Sequence, residues 1–327
     1  SLKRERMAGS LGAREGAGIT IFPSPLRGGV RGGGKNSTGQ ETTPTRPGCA
    51  APPSPQGGGK ESLPSMSKSN TVVTADKLSL TFHTKDGPVN ALAEVDLDIK
   101  TGEFVSFIGP SGCGKTTFLR VIADLEQPTA GTISINGLTP NQARLKRAYG
   151  YVFQAPALLP WRTVEKNVAL PLEIIGKSKS EQSERVARTL EMVNLSGFEK
   201  KYPWQLSGGM QQRASIARAL AFDADLLLMD EPFGALDEIV RDHLNEQLLK
   251  LWMETGKTIC FVTHSIPEAV YLSTKIIVMS PRPGRVIDII DSTLPAERPL
   301  EIRETPQFLE IAHRVRKGLK AGQAYEE

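Results

Sequence analysis

GEFVSFIGPSGCGKTTFLRVIADL (Gly102–Leu125) joins a short apolar run to a glycine-rich turn and then to a patterned segment. In the last piece Phe118, Val121, Ile122 and Leu125 recur at i, i+3, i+4 and i+7, one face of a helix. Strand, glycine turn and helix are the context that the phosphate-loop pattern GxxxxGK[ST] requires, and Gly109–Thr116 fits it. The residue types follow from the chemistry of holding phosphate. Gly109, Gly112 and Gly114 let backbone N–H groups close around phosphate oxygens, with Pro110, Ser111, Cys113 and Thr117 completing the loop. The helix start adds about half a positive charge. Lys115 is expected to reach the β- and γ-phosphates of a nucleotide, and Thr116 to offer a hydroxyl to Mg2+. For Cys113 two expectations stand: a thiol made reactive by the helix start, or one merely tolerated there.

Further along, LLLMDEP (Leu226–Pro232) is an apolar run ending in two acids, as a buried parallel strand ends at its carboxyl edge. Asp230 is placed to hold Mg2+, directly or through water, and Glu231 to act as general base on an attacking water. TICFVTH (Thr258–His264) is another such strand, which would bring His264 to the same edge with a donor for the γ-phosphate. Gln154 follows YGYVF and would reach Mg2+ or the water. For His264 and Gln154, taken singly, a purely structural place is the competing expectation. A second anion-holding helix start is written in LSGGMQQR (Leu206–Arg213), where Met210, Ala214, Ala217 and Ala221 keep helical spacing.

Composition narrows the class. The chain has 327 residues and a net charge of +4, yet residues 1–65 hold nine Lys/Arg against four Asp/Glu. The basic balance therefore belongs to that segment, and nothing in the rest argues for a nucleic-acid partner. The same segment holds 14 glycines and 8 prolines and nearly repeats PSPLRGG as PSPQGGGK, so it cannot build a core. It reads either as a basic tail or as upstream sequence translated in frame, with the folded protein starting at Met66; the second is the expectation. Cys49, Cys113 and Cys260 make no disulfide framework and no metal spacing. No run approaches the ~18 apolar residues that span a bilayer.

Together these motifs resemble the nucleotide-binding subunit of an ATP-binding cassette (ABC) transporter, from about Thr71 to Ala324. GPSGCGKTT matches the family's Walker A, Gln154 its Q-loop, LSGGMQ its signature, LLLMDE its Walker B, GALD (Gly234–Asp237) its D-loop and His264 its switch histidine. Phe82 stands at the family's adenine-stacking aromatic, more often Tyr; a buried core Phe is the alternative.

The resemblance implies an α/β P-loop NTPase cassette with an N-terminal antiparallel β piece over about 71–99. A helical subdomain would insert at about 155–210, and a short helical tail would close the cassette of residues 66–327. It implies an ATPase using ATP and Mg2+, and a head-to-tail dimer with a second copy or a similar subunit. There Ser207, Gly208, Gly209 and Asp237 would meet the partner's nucleotide. It also implies a separate membrane permease, an external solute-binding protein acting indirectly, and a place at the cytoplasmic face of the membrane. Leu158, Leu159 and Trp161 belong either to the subdomain core or to a groove that grips the permease. LLPWRTVEKNVALPLE, MDEPFGALDE and MSPRPGRV look most like importer ATPases for nitrate, sulfonate and taurine. A soluble ABC ATPase of translation or repair, or an exporter subunit, is the alternative.

Overall fold

The computed structural model describes residues 71–323 apart from residue 235, so the expectation for residues 1–65 lies outside the described residues. The chain opens with β1 (Thr71–Thr84) and β2 (Gly87–Lys100), an antiparallel pair closed by the two-residue turn Lys85–Asp86. Gly87 follows that turn at φ +114, a conformation a side chain would resist. Then come β3 (Phe104–Ile108), α1 (Lys115–Ile122) and β4 (Ala130–Ile135). β4 adds to the free side of β1, pairing Val73 with Ile135. The expected N-terminal β piece is thus present and carries a third strand that returns from beyond the glycine loop. The start of β4, Ala130 and Gly131, with polar Thr132 and Ser134 further on, hides it from a search for apolar alternation.

A short α2 (Pro140–Leu145) leads to β5 (Tyr149–Val152), and α3 (Val164–Ile174), α4 (Lys179–Met192) and α5 (Gly208–Ala221) follow. The remainder alternates as β6 (Leu226–Asp230), α6 (Glu238–Thr255), β7 (Thr258–Thr263), α7 (Ile266–Leu272), β8 (Lys275–Met279) and β9 (Val286–Asp291), ending in α8 (Pro306–Gln323). The main sheet runs β5-β6-β7-β3-β8-β9, parallel except for β8 against β9.

Alternation along the central strands divides the interior in two. Phe104 and Ile108 of β3, Leu227 and Met229 of β6, and Ile259 and Phe261 of β7 face the helices α3 to α8. Val105 and Phe107, Leu226 and Leu228, and Cys260 and Val262 face α1 and the three-stranded sheet. Successive side chains point to opposite faces, so a strand covered on both sides must be apolar throughout, and β3, β6 and β7 are buried along their whole length.

Two expectations change. The face containing Phe118, Val121 and Ile122 is buried, but Leu125 is 52 % exposed. Asp124, at φ 53, turns the chain out of the helix before Leu125 is reached. In the helical segment α3, α4 and α5 pack on one another, and the expected limit at 210 falls inside α5, which runs on toward β6. Trp161, at 71 % exposed, is no core residue, whereas Leu158 packs against the core. No helix among the described residues is long and apolar enough to cross a membrane.

Candidate functional site

The carboxyl edges of β3, β6 and β7 converge, as the parallel order predicts, with β7 between the other two. A cleft of about 350 Å³ opens there, lined by Ser111, Gly112, Gly114, Lys115, Thr116 and Thr117, with Phe82, Val89 and Ala91 on the β1–β2 side and Gln154 and Glu231 opposite. Gly114 caps α1 at φ 102 with no side-chain oxygen bonded to the helix start, so the leading N–H groups stay available to an anion. Glycine is obligatory there. A Cβ would come within 2.7 Å of Leu92 Cδ2 and 2.8 Å of the Ala91 carbonyl.

Lys115 is 5 % exposed. Its ammonium donates to the carbonyls of Gly109 and Pro110, at 2.8 and 2.9 Å. It also reaches Cys113 Sγ at 3.8 Å; a buried cation held only by neutral groups is electrostatically incomplete, and phosphate would complete it. Beside it, Thr116 Oγ1 donates to Asp230 Oδ1 at 2.8 Å, linking the start of α1 to the end of β6. Burial, and secondarily the neighbouring Glu231, push the Asp230 carboxyl above its ordinary range while the Thr116 bond pulls it down. A hydroxyl and a buried carboxylate side by side suit Mg2+, which takes few protein ligands and completes its octahedron with phosphate and water. Among the described residues no cage of three or more His, Cys, Asp or Glu side chains exists.

Glu231 leaves β6 with φ 42, a left-handed backbone that turns its side chain away from the strand. Its Oε2 lies 3.4 Å from His264 Nδ1 and 3.4 Å from Gln154 Nε2. Three residues expected from three separate stretches are therefore gathered on one carboxylate oxygen. Phe82 is half-buried; its ring leans on the core edge and also lines the cleft, so the two expectations for it merge.

Ser207, Gly208, Gly209 and Asp237 do not line this cleft. Ser207 caps α5, its Oγ accepting from the Met210 N–H at 3.3 Å while the residue stays exposed. Since the oxygen accepts, the O–H remains free to donate outward. Asp237 caps α6 by accepting from the Val240 N–H at 3.1 Å.

With this geometry in place, the comparisons are decisive. The ABC transporter family model matches residues 92–234, and a P-loop domain model matches 193–316. An uncharacterized ABC transporter ATP-binding protein of Methanocaldococcus jannaschii is 46 % identical over 245 residues, covering 75 % of this chain and 90 % of the relative. The chain belongs to the ABC transporter ATP-binding family.

The aliphatic sulfonates import ATP-binding protein SsuB of Bacillus cereus is 42 % identical, covering 74 % of this chain and 94 % of its own. The taurine import ATP-binding protein TauB of Jannaschia sp. is 44 % identical, covering 70 % and 86 %. Among solved structures, the ATP-binding cassette MJ0796, in a dimeric post-hydrolysis state bound to ADP and Pi, is 37 % identical. It covers 67 % of this chain and 98 % of that one with a TM-score of 0.61. The chain is thus an ATPase coupled to transport, built on the ABC cassette fold.

Within this ABC subunit three cleft residues carry no signal in the sequence: Val89, Ala91 and Arg282. Arg282, in the turn between β8 and β9, lines the cleft and donates from Nε to the Gly112 carbonyl at 3.4 Å. In the sequence the segment MSPRPGRV is only a mark of likeness; nothing in its spacing reveals that Gly284 hydrogen-bonds β2 and carries Arg282 over the loop. Of the two expectations for Cys113, the structure keeps the merely tolerated thiol. It is fully buried, and burial pushes its thiol up rather than down, so the expectation of a reactive thiol fails.

Proposed function

We propose that this subunit hydrolyses Mg-ATP to drive import of a small solute of the nitrate, sulfonate or taurine kind through a separate membrane permease. The single observation that carries the reading is the incompleteness of the site. One copy supplies the phosphate loop, Thr116, Asp230 and Glu231, while its other anion-ready helix start, Ser207 with Gly208 and Gly209, faces out of the cleft. A second copy in head-to-tail symmetry brings that helix start to the nucleotide, each copy completing the other's site.

In that arrangement Lys115 exchanges its carbonyl partners for the β- and γ-phosphates, and Phe82 offers its face to the base. Thr116 and Asp230 would hold Mg2+, with Gln154 at its margin; the ion supplies charge neutralisation on the phosphates. Glu231 orients the attacking water and takes its proton, and His264 and Gln154 keep that carboxylate in place and donate toward the phosphate and the water. Asp237 lies at the seam between copies.

The permease seat is an apolar groove lined by Tyr151, Phe153, Leu170, Pro171 and Ile174 and rimmed by Arg144, Arg147 and Arg218. Trp161, Leu158 and Leu159 are not part of its lining, so the groove expectation moves to these residues. On this reading the subunit works at the cytoplasmic face of the membrane, with an external solute-binding protein acting only indirectly. Reconstitution with its permease in vesicles tests the reading. ATP-driven uptake of labelled taurine or an alkanesulfonate is the expected result, and ATP turnover that no such solute and no permease stimulates would overturn it.

A further inference from the structure

Three polar side chains lie just behind the site and have no part in the chemistry above: the partly exposed Arg241 on α6, and the buried Glu268 on α7 and Thr263 at the end of β7. Glu268 is 4 % exposed. Its Oε2 accepts from Thr263 Oγ1. The same Thr263 oxygen accepts the Ser265 N–H at 3.0 Å, so one hydroxyl clasps the backbone on both sides of His264. The other Glu268 oxygen, Oε1, sits 3.5 Å from Arg241 Nε. Among the described residues neither of these two atoms has a hydrogen-bond partner. Arg241 in turn donates from Nη2 to the Leu236 carbonyl at 2.8 Å, next to Asp237.

The links close on themselves. From Leu236 the chain turns back through its N–H bond to the Phe233 carbonyl, and Gly234 bonds the Glu231 carbonyl at 3.1 Å. From Thr263 the path reaches His264, whose Nδ1 lies 3.4 Å from Glu231 Oε2. Two loops that leave different strands are therefore tied both at the Glu231 carboxylate and, from behind, through Arg241 and Glu268. The rear tie is an ion contact between the buried Glu268 and the partly exposed Arg241, and loss of Arg241 would leave Glu268 as a buried charge without this partner.

We propose that Arg241 and Glu268 are positioning residues which hold the Asp237 loop and the His264 loop in one common geometry, so that movement of either loop is passed to the other. The inference rests on the reading of Glu231 and His264 as the hydrolytic pair. Asp237 lies at the expected seam between copies, so this tie is the route by which closure of the dimer sets His264 against Glu231. A fixed geometry at the reacting centre is worth far more in turnover than in binding, because the nucleotide itself touches neither residue.

The test compares the full chain with Glu268→Gln, Arg241→Lys, Arg241→Met and the Arg241→Met/Glu268→Gln double variant. Glu268→Gln keeps an acceptor for Thr263 and removes only the charge facing Arg241. The expected result is a fall in kcat of about 10-fold or more with KM and the Kd of a fluorescent ATP analogue within about 2-fold. Arg241→Lys should retain part of the lost turnover. The double variant should be no worse than the poorer single one, since the pair acts as a unit. Unchanged kcat in the single variants, or fully additive losses, would overturn the proposal. Glu231→Gln is measured beside them: if it is inactive while the pair variants turn over normally, only this inference falls. If Glu231→Gln itself keeps normal turnover, the hydrolytic pair fails and the inference goes with it.

Discussion

Glu231 and His264, thirty-three residues apart in sequence, meet at 3.4 Å between Oε2 and Nδ1, and Gln154 reaches the same oxygen from the loop after β5. The strand order explains the meeting. β6 and β7 are parallel neighbours, so residues just past their carboxyl ends fall side by side. Glu231→Gln keeps the shape of the side chain and removes its basicity. It should bind ATP as the parent does and lose about 10²–10⁴-fold in turnover. Phosphate release read against binding of a fluorescent nucleotide checks this, and near-parental release would reject the base.

Because His264 touches the carboxylate rather than standing apart, its removal should not compound with that of Glu231. His264→Ala alone is expected to depress kcat strongly. In a Glu231→Gln background it should add little, as groups that act as one unit do. Single-turnover rates of the four proteins settle the matter, with multiplicative losses counting against a shared role.

The Thr116–Asp230 bond makes a prediction about Mg2+ that does not depend on turnover. Asp230→Asn leaves an acceptor for Thr116 but takes away the charge. Nucleotide affinity should then respond far less to Mg2+ than in the parent, measured as the ratio of Kd with the ion and with a chelator. An unchanged ratio would move the ion elsewhere.

Much of this site was legible because its chemistry fixes residue type and spacing together. The phosphate loop, the acids closing β6 and the helix start at Ser207 are all short-range patterns, and each sits on the element expected. What stayed hidden depends on long-range pairing. β4 joins β1 from across the phosphate loop, and Arg282 reaches the cleft only because Gly284 is bonded to β2. The choice between the two expectations for Cys113 depends on the same long-range packing. The local rule for a thiol at a helix start says nothing of the sheet that buries it, and alkylation by a maleimide should accordingly be slow in the native chain and fast once unfolded.

The last relationship joins the two anion sites. Ser207 is exposed, caps its own helix and stands apart from the cleft, so a change there tests assembly separately from nucleotide binding. Ser207→Arg replaces a small cap with a bulky cation at the positive end of α5. Losing the cap costs about 0.5–2 kcal/mol, so the chain should still fold, with a slightly lower Tm. ATP should bind the monomer with unchanged Kd, while the ATP-driven dimer, trapped in the Glu231→Gln background and followed by size-exclusion chromatography, should disappear. If that variant still dimerises with ATP, the helix start does not face the partner's nucleotide, and the second anion site has some other occupant.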